Sequence, residues 1–417
     1  MAKRSVTVVV LALFATAATA LAAEPLALDT TFGGGDGWLT VPVGSSSSAA
    51  GLARTTDGKV VMAGRSDGDI AVVELTSAGD PVASFGGGDG IATLDLGGTE
   101  AVAAVALDAQ DRIVVVGTGE PDLFVVRFGT DGQPDASFGG GDGIVRYRAG
   151  TADTSAEDVA ITDGGRIAVA GTRTSDGGPR LLALRLRATG VMDDAFGGDG
   201  AVTTRVGGPT RGAGVAIDGK GRVVAAGRSA NGDDGDAAVV RFQADGTLDP
   251  AFGKGDGRAI LDFDPTGDDA AEAVAIQPDG KVVVVGTLNS AAGKAIGIVG
   301  RLQRDGTPDV DFGANARRRL GLAEPAQALH DVLIEPDDDI TVAGQVGGDV
   351  LVATLSPDGR TVTWRSVDPV GGNDQGNGVV RLGSGKLLVA GRIADIPPFT
   401  RAITLTPQFG LLRFLPA

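Results

Sequence analysis

The sequence predicts an all-β fold, and three observations lead to that prediction. A unit of roughly 55 residues recurs along the chain, as in repeat architectures. Its short apolar runs are bounded by glycine and aspartate turns, which is typical of strands and hairpins, and nothing after residue 23 has the periodicity of an amphipathic helix. Glycine accounts for 68 of the 417 residues while 42% are apolar. This composition favours a folded chain with many turns over disorder.

The first 23 residues resemble a secretory signal peptide. Two basic residues at positions 3–4 precede an apolar run from Val6 to Phe14, and Ala20-Leu21-Ala22 matches the small-x-small cleavage rule. The run is shorter than the roughly 20 residues that a transmembrane helix needs. We therefore expect an exported protein, periplasmic or extracellular, in which residues 24–417 form one domain and no segment spans a membrane.

The composition excludes several classes of function. The chain has no cysteine and a single histidine, His330, which excludes disulfides, zinc-thiolate sites, thiol nucleophiles and multi-histidine metal sites. Its formal net charge of −17 disfavours nucleic acid and anionic lipid as partners. We expect a monomer that binds a macromolecule or a cell-envelope component.

One recurring motif reads Asp-x-x-Phe-Gly-Gly-Gly-Asp-Gly. We interpret its glycine and aspartate residues as a wide turn rather than a calcium loop or a phosphate cradle, and its phenylalanine as a buried structural anchor. The phenylalanines are Phe32, Phe85, Phe138, Phe196, Phe252 and Phe312. We expect Trp364 and Phe414 to replace this anchor in the last two units.

A second motif combines a polar turn, a basic residue, a β-branched run and a glycine. It occurs seven times, and its glycines are Gly64, Gly117, Gly171, Gly227, Gly286, Gly344 and Gly391. We interpret each glycine as the end of a second strand, and the basic residues as weak, solvated partners of nearby aspartates. In the unit from Ala101 to Ile144, strands are expected at 102–107, 113–116, 123–128 and from Ile144.

Seven units of four strands predict a seven-bladed β-propeller rather than a solenoid, because capping repeats are lacking. The chain begins with a lone strand, Trp38 to Val43, and ends with three strands from about Val379 to Leu405. We therefore expect the N-terminal strand to complete the last blade and close the ring, which removes an exposed sheet edge.

The motifs resemble those of the delta-60 repeat proteins and are similar to those of NHL-type propellers. Asp131-Gly132, Asp135 and Phe138-Gly139 carry the resemblance, as do the equivalent residues around Phe252 and the segment from Asp279 to Gly286. Asp339 in the basic position and Trp364 in place of phenylalanine depart from the pattern. The resemblance implies the fold and a secreted or cell-surface setting, and it implies no catalytic residue.

A candidate site follows from comparing the repeats at one position. Nine residues before each basic position, and at the next residue, three or four units have small residues while the others have Glu157, Asp158, Glu272, His330, Asp331 and Asn377. These residues precede the innermost strand, so we expect them at one mouth of the central channel. They form either an acidic rim that binds a cation such as calcium or a solvated acidic patch.

The loops after strands two and four differ between units, for example at 173–180, 228–236 and 264–271, whereas the other loops are uniform. Irregular loops on a regular scaffold favour a binding or scaffold module without catalytic residues, a resident metal or a cofactor. Two alternatives stay open: a hydrolase or lyase that uses carboxylates at the channel mouth, and a structural surface-coat component or adhesin.

Overall fold

The computed structural model describes residues 24–231, 234–322, 324, 326–395 and 406–417, so the expected signal peptide lies outside the described residues. In this part of the chain the regular structure is 28 strands and two three-residue 3-10 turns. None of its helices is long and apolar enough to cross a membrane.

The strands form antiparallel sets of four, which we number along the chain. Sets one to three contain β2 (Ser47–Arg54), β3 (Val60–Ser66), β4 (Asp69–Leu75), β5 (Ile91–Leu94); β6 (Ala101–Leu107), β7 (Ile113–Gly119), β8 (Asp122–Phe128), β9 (Ile144–Tyr147); and β10 (Asp153–Ile161), β11 (Ile167–Ser175), β12 (Gly178–Leu186), β13 (Ala201–Thr204). Sets four and five contain β14 (Thr210–Ile217), β15 (Val223–Asn231), β16 (Asp234–Phe242), β17 (Arg258–Leu261); and β18 (Asp268–Ile276), β19 (Val282–Asn289), β20 (Ala295–Leu302), β21 (Arg317–Arg319). Sets six and seven contain β22 (Gln327–Ile334), β23 (Ile340–Val346), β24 (Asp349–Leu355), β25 (Val362–Val367); and β26 (Gln375–Arg381), β27 (Leu387–Asp395), β28 (Thr406–Phe414), β1 (Trp38–Val41).

Five sets are separate sheets, while sets four and five are joined into one eight-stranded sheet by a single parallel pairing of Gly235 with Asp268. The second set, β6 to β9, has the four strands that the sequence predicts for that unit, with boundaries that agree within three residues. In each set the second and third strands are nearly continuous apolar runs, because they are covered on both faces.

The first and last strands of the chain pair with each other. Trp38 in β1 lies opposite Leu412 in β28, and Val41 lies opposite Phe409. The third strand of set seven is therefore Thr406–Phe414, later than the sequence predicts.

The expected anchor replacements are wrong. Phe414 lies within β28 and pairs with Leu387, while Phe32 takes the anchor position of set seven beneath the Arg413 guanidinium. Trp364 lies in β25 and is 37% exposed. Set six lacks the phenylalanine segment altogether, because residues 356–361 connect β24 directly to β25.

The core is divided into seven hydrophobic clusters, each of which joins two consecutive sets. Val72 of set one and Val115 of set two, for example, belong to one cluster. Another cluster contains Leu411 of set seven and Val73 of set one, so it joins the last set to the first. Burial between sets, rather than within one, therefore supplies the hydrophobic stabilisation.

Candidate functional site

Each set has a β-bulge near the middle of its first strand. In set three, for instance, the pairing of β10 with β11 passes from Ala156 to Asp158 and leaves Glu157 unpaired. The bypassed residues are Ala50, Ala103, Glu157, Ala213 with Gly214, Glu272, His330 and Asn377. The expectation that these residues precede the innermost strand is therefore wrong, since they lie inside it.

The glycine of the second motif lies opposite this bulge. A Cβ atom on Gly171 would stand 1.9 Å from the carbonyl oxygen of Ser155 in the neighbouring strand, and the other six glycines would meet the equivalent oxygen at 1.9–2.1 Å. A side chain would push the first strand away. These glycines thus lie within the second strand and are required by the bulge; the interpretation of them as strand ends is wrong.

The first strands of all seven sets line one cavity of about 480 Å³. All six predicted residues lie along its wall: Glu157, Asp158, Glu272, His330, Asp331 and Asn377. In three sets the bulge position holds alanine, so the bulge itself does not require a polar side chain there. The polar groups gathered in the cavity are thus additions to the scaffold.

Glu157 and Glu272 are the two bulge residues with carboxylates. Both side chains are accessible to water within the cavity, and the Ser155 hydroxyl donates a hydrogen bond to Glu157 Oε1 at 2.8 Å. Partial desolvation raises the pKa of each carboxyl, and the negative charge of Glu157 further raises the pKa of Glu272. The pair could bind a cation or exchange a proton with a ligand.

Asp158 and Asp331 are hydrogen-bonded to the backbone of two sets at once. Asp158 accepts the N–H of Val159 in its own strand and that of Val215 in the next set, each at 2.7 Å. Asp331 repeats the arrangement with Val332 and Val379, at 2.8 Å. In each carboxyl one oxygen is therefore bound within its own strand and the other joins the neighbouring set.

Burial raises the pKa of both aspartates, and this effect is larger than the opposite effect of the backbone hydrogen bonds. It raises the pKa of Asp158 to about 7 and that of Asp331 to about 6. The charge of Asp331 adds to the increase at Asp158. The two side chains therefore titrate near neutral pH.

Asn377 and His330 differ in their hydrogen bonding. Asn377 Nδ2 donates to the carbonyl oxygen of Ala49 in set one at 2.9 Å, so this side chain also joins two sets. His330 Nε2 has no hydrogen-bond partner, and burial lowers the pKa of the imidazole. Of the six residues, the two whose side chains are exposed to water in the cavity are Glu157 and Glu272.

The six predicted anchors Phe32, Phe85, Phe138, Phe196, Phe252 and Phe312 are at most 2% exposed. The glycines that follow them have positive φ, and the aspartates of the turn accept backbone N–H groups, as Asp142 does from Ile144 at 3.0 Å. The segment thus has the backbone geometry of a wide turn.

A clamp of arginine, aspartate and phenylalanine holds consecutive sets together, and it went unpredicted. The guanidinium of Arg241 lies 4.5 Å from the centre of the Phe252 ring, pairs with Asp249 at 2.7 Å and donates to the carbonyl oxygen of Arg304 in the next set at 2.6 Å. The other arginines that lie over an anchor ring are Arg127, Arg185, Arg301 and Arg413. A sequence signal existed, because in four sets the arginine stands eleven residues before the phenylalanine.

The basic residues of the second motif take part in this clamp. Lys386 Nζ lies 2.6 Å from Asp29, which also binds Arg413, and Arg222 lies 3.1 Å from Asp249. They bind carboxylates that are almost fully buried, so the interpretation of them as weak surface partners is wrong.

Comparisons with known proteins agree with this architecture. A family model described as a domain of unknown function (DUF5122) beta-propeller matches residues 111–138, 165–196, 221–252 and 277–312. Each matched segment ends at an anchor phenylalanine. No protein of curated function matches the chain.

Several solved structures share the fold. A streptogramin B lyase is similar over 91% of this chain and 97% of its own, with a TM-score of 0.56 and 14% identity. A virginiamycin B lyase from Staphylococcus aureus covers 91% and 98%, with a TM-score of 0.50 and 10% identity. The U3-55K protein covers 90% and 98%, with a TM-score of 0.53 and 11% identity. At such identities the likeness shows the fold alone: the chain is a β-propeller.

Proposed function

We propose that the protein is an exported, seven-bladed β-propeller, closed by its N-terminal strand and related to the delta-60 repeat proteins, that acts as a non-enzymatic binding module. The pairing of β1 with β28 and the cluster shared by sets seven and one support the closure. The signal-like N-terminal sequence supports the export.

The observation that carries the binding role is the difference between the two faces. Loops on one face connect strands one to two and three to four, and they are used by the arginine clamp and the wide turns. Loops on the other face differ in length: two residues separate β11 from β12, and five separate β19 from β20. This second face, which we call the variable face, is the surface that we assign to a macromolecular or cell-envelope partner.

A pair of charge-matched variants tests this role. Asp176→Lys with Lys294→Glu changes exposed residues of the variable face, while Asp163→Lys with Lys220→Glu makes the same charge changes on the opposite face. We expect the labelled wild-type protein to bind intact cells or an envelope fraction of its source, the first variant to bind at least tenfold more weakly, and the second to bind as the wild type does. Equal binding by both variants would contradict the assignment.

A second candidate function, hydrolase or lyase, is favoured by one observation. Glu157 and Glu272 line the same water-accessible cavity, and their charges interact. One of two such carboxyls can stay protonated as a general acid while the other acts as a base. Turnover of a polysaccharide or ester substrate that disappears in Glu157→Gln with Glu272→Gln would support this role; turnover that persists would exclude these residues.

A further inference from the structure

A buried polar residue stands at the beginning of the first strand of every set. The seven residues are at most 3% exposed: Ser47, Glu100, Thr154, Thr210, Asp269, Gln327 and Asp374. They lie on the variable face, away from the cavity residues near the middle of the same strands. Three of the seven are carboxylic acids.

Two of these acids, Glu100 and Asp269, lie beside two further carboxylates. One comes from near the start of a third strand and the other directly follows a fourth strand of the preceding set, which makes the triads Asp69, Asp95 and Glu100, and Asp236, Asp262 and Asp269. In both triads the three carboxylates offer oxygens that all lie within 4.8 Å of one another. Asp374 has Asp349 and Asp368 at the equivalent positions of the repeat.

At the junctions where the buried residue is threonine, at least one of the two neighbouring positions has an arginine. Where the buried residue is Thr154, for example, the neighbours are Asp122 and Arg148, and the Arg148 guanidinium lies 3.8 Å from the Asp122 carboxylate. Where it is Thr210, both neighbours are arginines, Arg180 and Arg205. Where the buried acid is replaced by threonine, a cationic side chain thus takes the place of at least one neighbouring carboxylate.

The buried acids have an oxygen without a hydrogen-bond donor. Asp374 Oδ1 accepts the N–H of Ala394 at 2.7 Å, whereas its Oδ2 is buried and has no partner. Asp269 Oδ1 and Glu100 Oε2 are likewise buried without a partner. By contrast Thr154 and Thr210 donate to backbone carbonyls at 2.9 and 3.0 Å. An unpartnered buried carboxylate oxygen beside two other acids is costly for the folded state.

We propose that each acidic triad binds a hard divalent cation, with calcium the best fit, at the junction of two sets on the variable face. The ligands are carboxylate oxygens with no sulfur or imidazole, which selects hard cations over zinc or copper. A cation supplies the buried oxygen with a partner and neutralises the repulsion among the three acids. Asp95 is exposed, so solvent has a route to the first site.

The proposal does not depend on the binding role of the variable face, because cation binding is measured on the protein alone.

Calcium titration of the chelator-treated protein tests the proposal. We expect two calcium ions to bind by calorimetry and equilibrium dialysis, and the melting temperature to rise with calcium because the ion binds the folded state. Glu100→Thr copies the residue that sets three and four tolerate at this position, and it should reduce the stoichiometry from two to one. Combining it with Asp269→Thr should abolish both the binding and the shift in melting temperature.

The control variant is Glu157→Gln with Glu272→Gln, which removes the carboxylates of the cavity and leaves the triads intact. It should still bind two ions. Loss of binding in this variant, or unchanged stoichiometry when Glu100→Thr and Asp269→Thr are combined, would overturn the proposal, as would a wild-type protein that binds no calcium at millimolar concentration. Magnesium in place of calcium should bind at least tenfold more weakly, because it demands regular octahedral geometry and retains its waters; equal affinity would contradict the assignment of calcium.

Discussion

At the scale of single residues, the anchor phenylalanines differ in what covers them. The Phe138 ring lies 4.5 Å below the Arg127 guanidinium, whereas set one has Glu74 where the other clamps have arginine. Both rings are fully buried. The stabilising contribution of the two rings should therefore differ by the cation–π interaction and not by burial.

Leucine substitutions separate these contributions. We expect Phe138→Leu to cost about 0.5–2 kcal/mol more unfolding free energy than Phe85→Leu, while alanine at either position should cost about 3–5 kcal/mol. Urea denaturation measures the difference, and Trp364→Ala, at an exposed site, serves as the control with a small effect. Equal costs for the two leucine variants would show that the arginine contributes nothing through the ring.

The pH dependence of stability is also decided by single residues. The pKa of Asp158 is raised to about 7 by burial, compared with about 3.9 for an unfolded chain. Between these values the folded protein keeps a proton that the unfolded chain has lost, so this group makes the free energy of unfolding fall as pH rises from about 4 to 7. Asp331 acts in the same direction up to about pH 6.

Asp158→Asn removes this titration. Its unfolding free energy, measured in urea at several pH values, should fall less steeply between pH 4 and 7 than that of the wild type, although asparagine accepts only one of the two backbone hydrogen bonds. Asp163→Asn, in an exposed turn, should leave the slope unchanged. If the slopes of all three proteins coincide, Asp158 does not titrate in this range.

At the scale of the strand, the bulge and its glycine form one unit. Replacing Gly171 by alanine places a methyl group 1.9 Å from the Ser155 carbonyl oxygen, and we expect a loss of about 2–4 kcal/mol or failure to fold, since packed backbone cannot yield at low cost. Gly219 has open space around its Cβ position and no positive φ. Gly219→Ala should therefore be neutral or stabilise by up to about 1 kcal/mol. A tolerated Gly171→Ala, judged by thermal denaturation, would contradict the role of the bulge.

The strands themselves could be predicted because apolar runs and turn residues alternate along the chain. The bulges could not, since a one-residue shift in register leaves no trace in the hydrophobic pattern. Glycine at Gly171 and its equivalents was the available signal, and its meaning depends on the neighbouring strand. Spacing within the repeat placed Glu157 and Glu272 at equivalent positions, but it could not show that Asp158 is used in joining two sets.

At the scale of the whole molecule, the repeat predicts the architecture while contacts between sets decide the sites. Asp69, Asp95 and Glu100 come from the beginning or end of different strands, and Glu100 belongs to the next set. Their proximity depends on how two sets pack, which local sequence patterns do not encode. The arginine clamp has the same origin, because Arg241 reaches a carbonyl oxygen of the following set.

The proposed closure of the ring is the hypothesis about the whole molecule that is most open to test. The ends of the described chain are adjacent, since Leu26 N lies 3.4 Å from the carbonyl oxygen of Pro416. A circular permutant of residues 24–417, with the old ends joined by a short glycine linker and new ends in the turn at Gly219–Lys220, should therefore fold and melt within a few degrees of the parent. Removing residues 24–43 from the parent should instead expose the edge of β28 and the Phe32 site, lower the melting temperature by more than about 10 °C and cause aggregation. Calorimetry and size-exclusion chromatography distinguish these outcomes: a truncated chain as stable and monomeric as the parent would mean that β1 does not close the ring.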